Sequence, residues 1–209
     1  MRIYVERILN KPIDSNSFVV YTSENKRCII IDPGTEDSAD LITFIQINNL
    51  QPEFIFLTHE HFDHIWGVNL LKDLYNAQIV CSLSCAEKIV NRKKNMSVFY
   101  NQVGFETFPA DIIVNDECKI KWHNKILQII ETPGHTDGSI CISINDNLFT
   151  GDTIIKDHKT VIKLPGGSKD KLKFSLSKIF LTFSNQRMNV YPGHGETFLL
   201  EECFPPNFY

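Results

Sequence analysis

Four potential metal ligands stand within six residues in the HxHxDH run His59–His64. Neutral imidazole nitrogens and a carboxylate form a donor set that suits zinc or iron. An apolar stretch precedes the run and predicts a strand that leads into it. Because alternate side chains of a strand point to the same side, we expect His59 and His61 to converge on one point. Asp63 and His64 fall where the chain should turn into a helix, and we expect them to face a neighbouring point.

Three further segments place a metal-competent residue in a turn after a predicted strand. Glycine beside each residue lets the backbone turn sharply and approach a crowded site. One such residue alone would usually be a surface or capping residue. Together with the HxHxDH run, they predict a metal site built from strand ends. The three segments are Gly134-His135-Thr136, Gly151-Asp152-Thr153 and Pro192-Gly193-His194-Gly195.

The elements that must position these residues are read from apolar periodicity and turn signals. The segment Arg92–Phe108 is polar and irregular, which predicts a loop or a small helical cover. We predict strands at Arg2–Leu9, Ser17–Tyr21, Arg27–Asp32, Phe54–Thr58, Gln78–Cys81, Ile112–Val114, Cys118–His123, Ile126–Glu131, Ser139–Ile144, Leu148–Thr150 and Val190–Tyr191. We predict helices at Asp37–Asn49, from the HxHxDH run to about Tyr75, and at Ala86–Arg92 and Leu172–Phe183.

Length and composition limit the class of protein. The 209 residues are 43% hydrophobic, which suits one globular domain over residues 1–209. A formal net charge of −4 argues against a general nucleic-acid binder. The N-terminus carries charge early and no apolar run reaches membrane-spanning length, so we expect neither a secretory signal nor a membrane partner. The six scattered cysteines predict reduced core residues in a cytoplasmic protein.

The ordered motifs resemble the metallo-β-lactamase superfamily, in its glyoxalase II-like (hydroxyacylglutathione hydrolase-like) branch. The resemblance extends over nearly the whole chain. It implies an α+β fold, a four-layer αββα sandwich of two mixed β-sheets flanked by helices, with the metal site at one edge. The motifs that carry it are Ile31-Asp32-Pro33-Gly34, the HxHxDH run, Gly134-His135-Thr136, Gly151-Asp152-Thr153, Leu164-Pro165-Gly166-Gly167 and Pro192-Gly193-His194-Gly195.

The resemblance also implies the ligand set and the cofactors. Two divalent metal ions are implied, with zinc as the predicted ion and iron or manganese as alternatives. Asp152 would bridge the two ions, and Asp32 would be a buried support rather than a ligand. The first ion would be held by His59, His61 and His135, and the second by Asp63, His64 and His194.

Such a site implies a hydrolase that acts on a small-molecule thioester, ester or lactone. A metal-bridging hydroxide attacks the carbonyl, with Asp63 and Asp152 as the catalytic carboxylates that orient it. No serine or cysteine belongs to a recognisable triad, so metal hydrolysis is favoured over covalent catalysis.

Because of three departures from the family pattern, the sequence does not identify glutathione as the thiol part of a thioester substrate. Thr160–Lys163 stands where short glyoxalase II-like proteins often have Gly-Arg-Thr-Asp, and Asp137 replaces a proline common after Gly-His-Thr. We also expect no C-terminal glutathione-binding domain. Candidate walls of the substrate site are the aromatic residues of Arg92–Phe108 and Phe204–Tyr209. The candidate anion-binding residues are Lys156, Lys159 and Lys163.

Other functions of the superfamily are alternatives. A mononuclear iron persulfide dioxygenase would use the counterparts of His59, His61, His135 and Asp152, and the retained Asp63 and His64 do not exclude it. The acidic balance disfavours an RNA-processing nuclease, and the absence of a visible signal disfavours a β-lactamase proper. A flavodiiron protein would need glutamate at His61. A non-catalytic binding module is the least favoured, because every ligand position is occupied.

Overall fold

The computed structural model describes residues 2–203 and contains two six-stranded sheets. The chain divides into two compact units, the first ending at Ile113 and the second beginning at Val114. The single domain predicted over residues 1–209 stays a prediction. None of the helices in the described part of the chain is long and apolar enough to cross a membrane.

The first unit has a mixed sheet with its strands in chain order. Its strands are β1 (Ile3–Leu9), β2 (Asn16–Thr22), β3 (Arg27–Ile31), β4 (Gln51–Phe56), β5 (Gln78–Ser82) and β6 (Ile112–Val114). The pairs β1–β2 and β2–β3 are antiparallel, whereas β3–β4 and β4–β5 are parallel. The carboxyl ends of β3 and β4 therefore lie at one edge, which is where Asp32 and the HxHxDH run follow.

Helices cover this sheet. Val19, Ile30 and Ile55 of the strands share one buried apolar cluster with Leu41 and Val68 of the helices. The helices are α1 (Ala39–Ile47), α2 (Phe62–Ile65), α3 (Val68–Tyr75), α4 (Leu83–Ile89) and α5 (Ser97–Asn101). The short α5 confirms the small helical cover predicted within Arg92–Phe108.

The helix predicted from the HxHxDH run to about Tyr75 is interrupted at Gly67. The Gly67 N–H donates to the carbonyl of Pro33 at 2.8 Å. A Cβ on Gly67 would lie 2.7 Å from the backbone carbonyl oxygen of Thr35, so only glycine permits this approach. The prediction of one continuous helix is wrong because this packing against the end of β3 separates α2 from α3.

The second unit has its own sheet, in the order β12-β11-β10-β9-β8-β7. Its strands are β7 (Lys119–Trp122), β8 (Lys125–Glu131), β9 (Ile140–Ile144), β10 (Asn147–Gly151), β11 (Asn189–Pro192) and β12 (Phe198–Leu199). Only β10–β11 is a parallel pair, and β8–β9 and β9–β10 are antiparallel. Consequently β8, β10 and β11 run in one direction, and their carboxyl ends share one edge of the sheet.

One long helix and a buried cluster complete this unit. The helix α6 (Lys169–Thr182) places Leu172, Leu176 and Ile179 in a cluster with Leu148 and Val190 of the sheet. Ser168 caps α6, because its hydroxyl accepts the Lys171 N–H. The two-residue strand β12 and a 3₁₀ turn at Leu200–Glu202 were not predicted. Both are too short to give a periodic pattern.

Candidate metal centre

The HxHxDH run of the first unit forms a compact group of imidazoles. The ring centroids of His59 and His61 lie 4.8 Å apart, and those of His59 and His64 lie 4.2 Å apart. All three histidines are buried. The strand β4 ends at Phe56, so His59 and His61 lie beyond it. The prediction that they converge by strand alternation is therefore wrong. An irregular segment that ends at the N-cap of α2, His61, brings them together instead.

Asp32 organises this group from the end of β3. Its Oδ1 accepts the Thr58 N–H at 2.7 Å, and its Oδ2 accepts the Thr58 hydroxyl at 2.6 Å. The same Oδ2 lies 3.1 Å from Nδ1 of His64. A carboxylate only accepts, so this bond puts a proton on Nδ1 of His64 and leaves the lone pair on Nε2, the nitrogen that could bind a metal ion. Potential ligand atoms of Asp32, His59 and His64 all lie within 4.8 Å of one another.

The backbone of Asp63 is held at two points. Its carbonyl accepts the Ser15 hydroxyl at 2.5 Å. Gly34 packs against the same carbonyl so closely that an added Cβ would lie 1.7 Å from the oxygen. Oδ2 of Asp63 lies 3.7 Å from Nε2 of His64. The carboxylate and imidazole of these neighbours are therefore placed to share one ion.

The second unit brings three predicted ligands together at the common edge of β8, β10 and β11. Oδ2 of Asp152 lies 3.4 Å from Nε2 of His135 and 3.7 Å from Nε2 of His194. The Gly193 N–H donates to the carbonyl of Gly151 at 2.7 Å, which fixes the turn of His194 beside that of Asp152. One carboxylate oxygen thus lies close to two imidazoles.

The orientation of His135 comes from a partner that the sequence motifs did not predict. Its Nδ1 lies 2.7 Å from the carbonyl oxygen of Val161. A carbonyl only accepts, so Nδ1 carries the proton and the lone pair is on Nε2, the nitrogen that could bind a metal ion. Val161 belongs to Thr160–Lys163, the segment that departs from the family pattern. Because the bond uses a main-chain oxygen, it does not depend on the side chains that differ there.

The turn that carries His135 is also braced by α6. The Gly134 carbonyl accepts the Ser168 N–H at 2.8 Å, and the Pro133 carbonyl accepts the Ser175 hydroxyl at 2.7 Å. Asp137, which stands where a proline is common, pairs with Lys171 at 2.7 Å. Asp137 therefore adds an exposed ion pair to the contacts between this turn and α6.

The structure describes some of the residues predicted to form the substrate walls. Tyr100 stacks on Phe62 with ring centroids 5.0 Å apart, and Phe105 stacks on Trp66 at 5.4 Å. The ammonium of Lys156 pairs with Glu202, whose hydrogen bond raises the pKa of Lys156. Lys159 and Lys163 are exposed, and Phe204–Tyr209 lies outside the described residues.

The profile of the metallo-beta-lactamase superfamily matches residues 10–183, which is more than half of the chain. The chain belongs to the metallo-beta-lactamase superfamily. The matched range of this superfamily member includes each predicted ligand except His194, which lies beyond its end.

Individual relatives agree with this assignment. Hydroxyacylglutathione hydrolase 1 of Vibrio vulnificus is 34% identical over 142 residues, which are 68% of this chain and 48% of that protein. The chain thus spans about half the length of this relative. Probable metallo-hydrolase MJ0888 of Methanocaldococcus jannaschii is 33% identical over 192 residues, which cover 87% of this chain and 88% of that protein.

Among solved structures, the BLEG-1 B3 metallo-beta-lactamase has a TM-score of 0.89 and 28% identity, and the match covers 95% of both chains. The predicted superfamily and its α+β fold are confirmed, and a hydroxyacylglutathione hydrolase is among the relatives.

Proposed function

We propose that this superfamily member is a dinuclear metal hydrolase of a small thioester, ester or lactone. The proposed ligands are the seven predicted residues, five contributed by histidine and two by aspartate. His59, His61 and His135 would hold the first ion, and Asp63, His64 and His194 the second. Asp152 would bridge the ions.

The observation that carries this proposal is the position of Asp152. Its Oδ2 lies within 3.7 Å of Nε2 of both His135 and His194, which are assigned to different ions. A carboxylate that serves two ions must approach ligands of both. The donor chemistry supports the same conclusion, because His64 and His135 donate Nδ1–H to oxygen acceptors and present Nε2 as the metal-binding nitrogen.

The residues of this chain would then carry out hydrolysis by positioning and proton transfer. When bound, two divalent ions lower the pKa of water from 15.7 to about 7 and polarise a carbonyl oxygen. Asp63 and Asp152 would orient the attacking hydroxide and accept the proton that the water gives up. A new carbon–oxygen bond forms, the carbon–sulfur or carbon–oxygen bond of the substrate breaks, and the leaving thiol or alcohol takes up the proton.

The thioester is the substrate that we rank first. The Vibrio relative is named a hydroxyacylglutathione hydrolase, and it is 34% identical over 68% of this chain. The aromatic cover supports an apolar acyl part, because Phe62 stands between ligands His61 and Asp63 and stacks on Tyr100. The proposal includes zinc as the bound ion and the cytoplasm as the location of the protein.

The test combines elemental analysis with an activity panel on the purified chain. Thioester, ester and lactone hydrolysis would be measured beside oxygen uptake with glutathione persulfide. We expect about two metal ions per chain and hydrolysis of at least one acyl substrate. One iron per chain with oxygen uptake, and no hydrolysis, would instead identify a persulfide dioxygenase.

The three candidate lysines have a separate test. The triple change of Lys156, Lys159 and Lys163 to Gln removes their charge while nearly preserving side-chain length. If they capture an anionic substrate, KM should rise with kcat little changed, and added salt should weaken wild-type binding. An unchanged KM without a salt effect would identify them as surface residues, with Lys156 paired to Glu202.

A further inference from the structure

One residue of the HxHxDH run, Glu60, belongs to a partly buried ion pair. Glu60 stands between His59 and His61, and its side chain is 1% exposed. Its Oε1 accepts a hydrogen bond from Nζ of Lys88 at 2.7 Å. The two flanking imidazoles contact each other, so the residue between them is tied to α4 while its neighbours form the candidate metal centre.

The two ends of this ion pair differ in how firmly they are held. Lys88 is carried by α4, which is capped by the Ser82 hydroxyl and anchored by the fully buried Cys85 and Ile89. The carbonyl of Ile89 also accepts the Thr107 N–H at 3.1 Å. Glu60, by contrast, lies in the irregular segment between β4 and α2. The helix can therefore fix the segment through the pair.

The burial of Glu60 carries a desolvation cost. A carboxylate out of water is costly unless a cation and hydrogen bonds compensate it, and removing one partner leaves an uncompensated charge. Without Lys88, the Glu60 carboxylate would lose this cation while it stays out of water. The backbone that joins His59 to His61 would then lose its tie to α4.

We propose that Lys88 is a positioning residue for the metal centre, acting through Glu60 on the backbone between two ligands. This inference rests on the proposed function, because it requires that His59 and His61 bind a metal ion. Lys88 itself touches neither ion nor substrate. Its role is to fix the two imidazoles so that they reach one ion together.

The experiment measures zinc affinity, by competition with a chelator, and the visible spectrum of bound cobalt(II). Lys88→Met removes the charge and keeps the apolar stem, whereas Lys88→Arg keeps the charge. The matched control is Lys72→Met, because Lys72 and Asp111 form a similarly short ion pair of 2.6 Å in the same unit, and neither is a predicted ligand. The Tm of each metal-free variant is measured in parallel.

We expect Lys88→Met to lower zinc affinity at least tenfold and to change the cobalt(II) spectrum. Lys88→Arg should recover most of the affinity, and Lys72→Met should stay within twofold of wild type. The double variant Glu60→Gln with Lys88→Met also removes the charge of the buried carboxylate, so its metal-free Tm should recover. Its zinc affinity should nevertheless stay low, because the tie to α4 is lost.

Two results would overturn the inference. One is a Lys88→Met or double variant that binds zinc within twofold of wild type. The other is a double variant whose affinity recovers together with its Tm, since that would make the pair a stabilising contact only. Wild-type protein that binds neither zinc nor cobalt(II) would contradict the proposed function itself, and so the two failures are distinguishable.

Discussion

At the scale of single residues, several predicted ligands are held in place by hydrogen bonds and close packing. Asp63 is held by the Ser15 hydroxyl and by close packing of Gly34 on its carbonyl. His135 is held by the carbonyl of Val161, and His64 by the carboxylate of Asp32. The hydrogen bonds to His64 and His135 fix the tautomer of each imidazole, and the contacts of Asp63 fix the position of its backbone.

Gly34 offers the sharpest test of this packing. In Gly34→Ala the new Cβ would lie 1.7 Å from the Asp63 carbonyl oxygen, so the ligand segment must shift. We expect a loss of roughly 1–3 kcal/mol in the free energy of unfolding, with weaker zinc binding. Urea denaturation and zinc competition would measure both quantities.

Gly104→Ala is the control for a strained glycine away from the predicted ligands, because its Cβ would meet Arg92, Ser97 and Val98 at 2.9 Å. It should lower the free energy of unfolding by roughly 1–3 kcal/mol and leave zinc affinity unchanged. Equal zinc affinity in Gly34→Ala and wild type would show that contact with Asp63 is not limiting for the metal centre.

At the scale of elements, neighbouring strands bring predicted ligands that are distant in the chain to one edge of a sheet. The carboxyl ends of β8, β10 and β11 share an edge, where His135, Asp152 and His194 follow. In the first unit, the ion pair of Lys72 with Asp111 links α3 to the segment before β6. The aromatic cover around α5 packs on Phe62 and Trp66 next to the ligand run.

The Asp111 pair predicts a specific dependence of stability on pH. Burial raises the pKa of Asp111, but hydrogen bonds from Lys72 and the Ile79 N–H outweigh it and hold the pKa below its ordinary value. A carboxyl with a lowered folded pKa stabilises the fold above its unfolded value of about 3.9. That contribution is lost as pH falls through the folded value.

We therefore expect Asp111→Asn to be less stable than wild type near pH 6, with the difference shrinking as pH falls below about 4. Chemical denaturation at a series of pH values measures it. Asp14→Asn, in an exposed pair with Lys11, is the control and should change little. A difference for Asp111→Asn that grows towards acid would contradict this assignment.

The aromatic cover predicts a preference for longer acyl groups. If Tyr100 and Phe62 line the acyl part of the site, kcat/KM should rise along a series from acetyl to octanoyl thioesters. Tyr100→Ala should then lower kcat/KM for the long acyl groups about fivefold, with little effect on acetyl, because an aromatic contact contributes about 1 kcal/mol.

The control for this series is Ile47→Ala, which truncates a side chain that is 74% exposed on α1. It should leave the whole series unchanged. A wild-type series that is flat while acetyl thioester is hydrolysed would show that the cover does not bind the acyl group. It would leave the hydrolase proposal intact.

At the scale of the whole molecule, most strands and the ligand motifs were predictable from the sequence. Their signals are local: apolar periodicity for the strands, and histidine or aspartate beside glycine for the turns. The supports were not predictable, since Glu60 and Lys88, or His135 and Val161, are far apart in the chain. The path of His59 and His61 was misjudged for a related reason. Long-range hydrogen bonds to Asp32 organise that segment, and strand alternation does not.

The six cysteines are distributed over both units of the molecule, and most of them are buried. All six are free, and Cys118 is the least buried among them. Burial raises the pKa of Cys28 and Cys141 to about 12, which keeps both as unreactive thiols at neutral pH. The prediction that they are structural core residues agrees with the burial of five of them, whereas Cys118 is partly exposed.

The central claim is that two ions are bound and that one carboxylate serves both. The most direct measurement is the zinc stoichiometry of reconstituted wild-type protein beside that of Asp152→Ala, with circular dichroism to verify the fold. We predict about two zinc ions per chain in wild type. The folded variant should hold one at most and lose nearly all hydrolysis. Two tightly bound ions in Asp152→Ala, or one ion in fully active wild type, would contradict the claim.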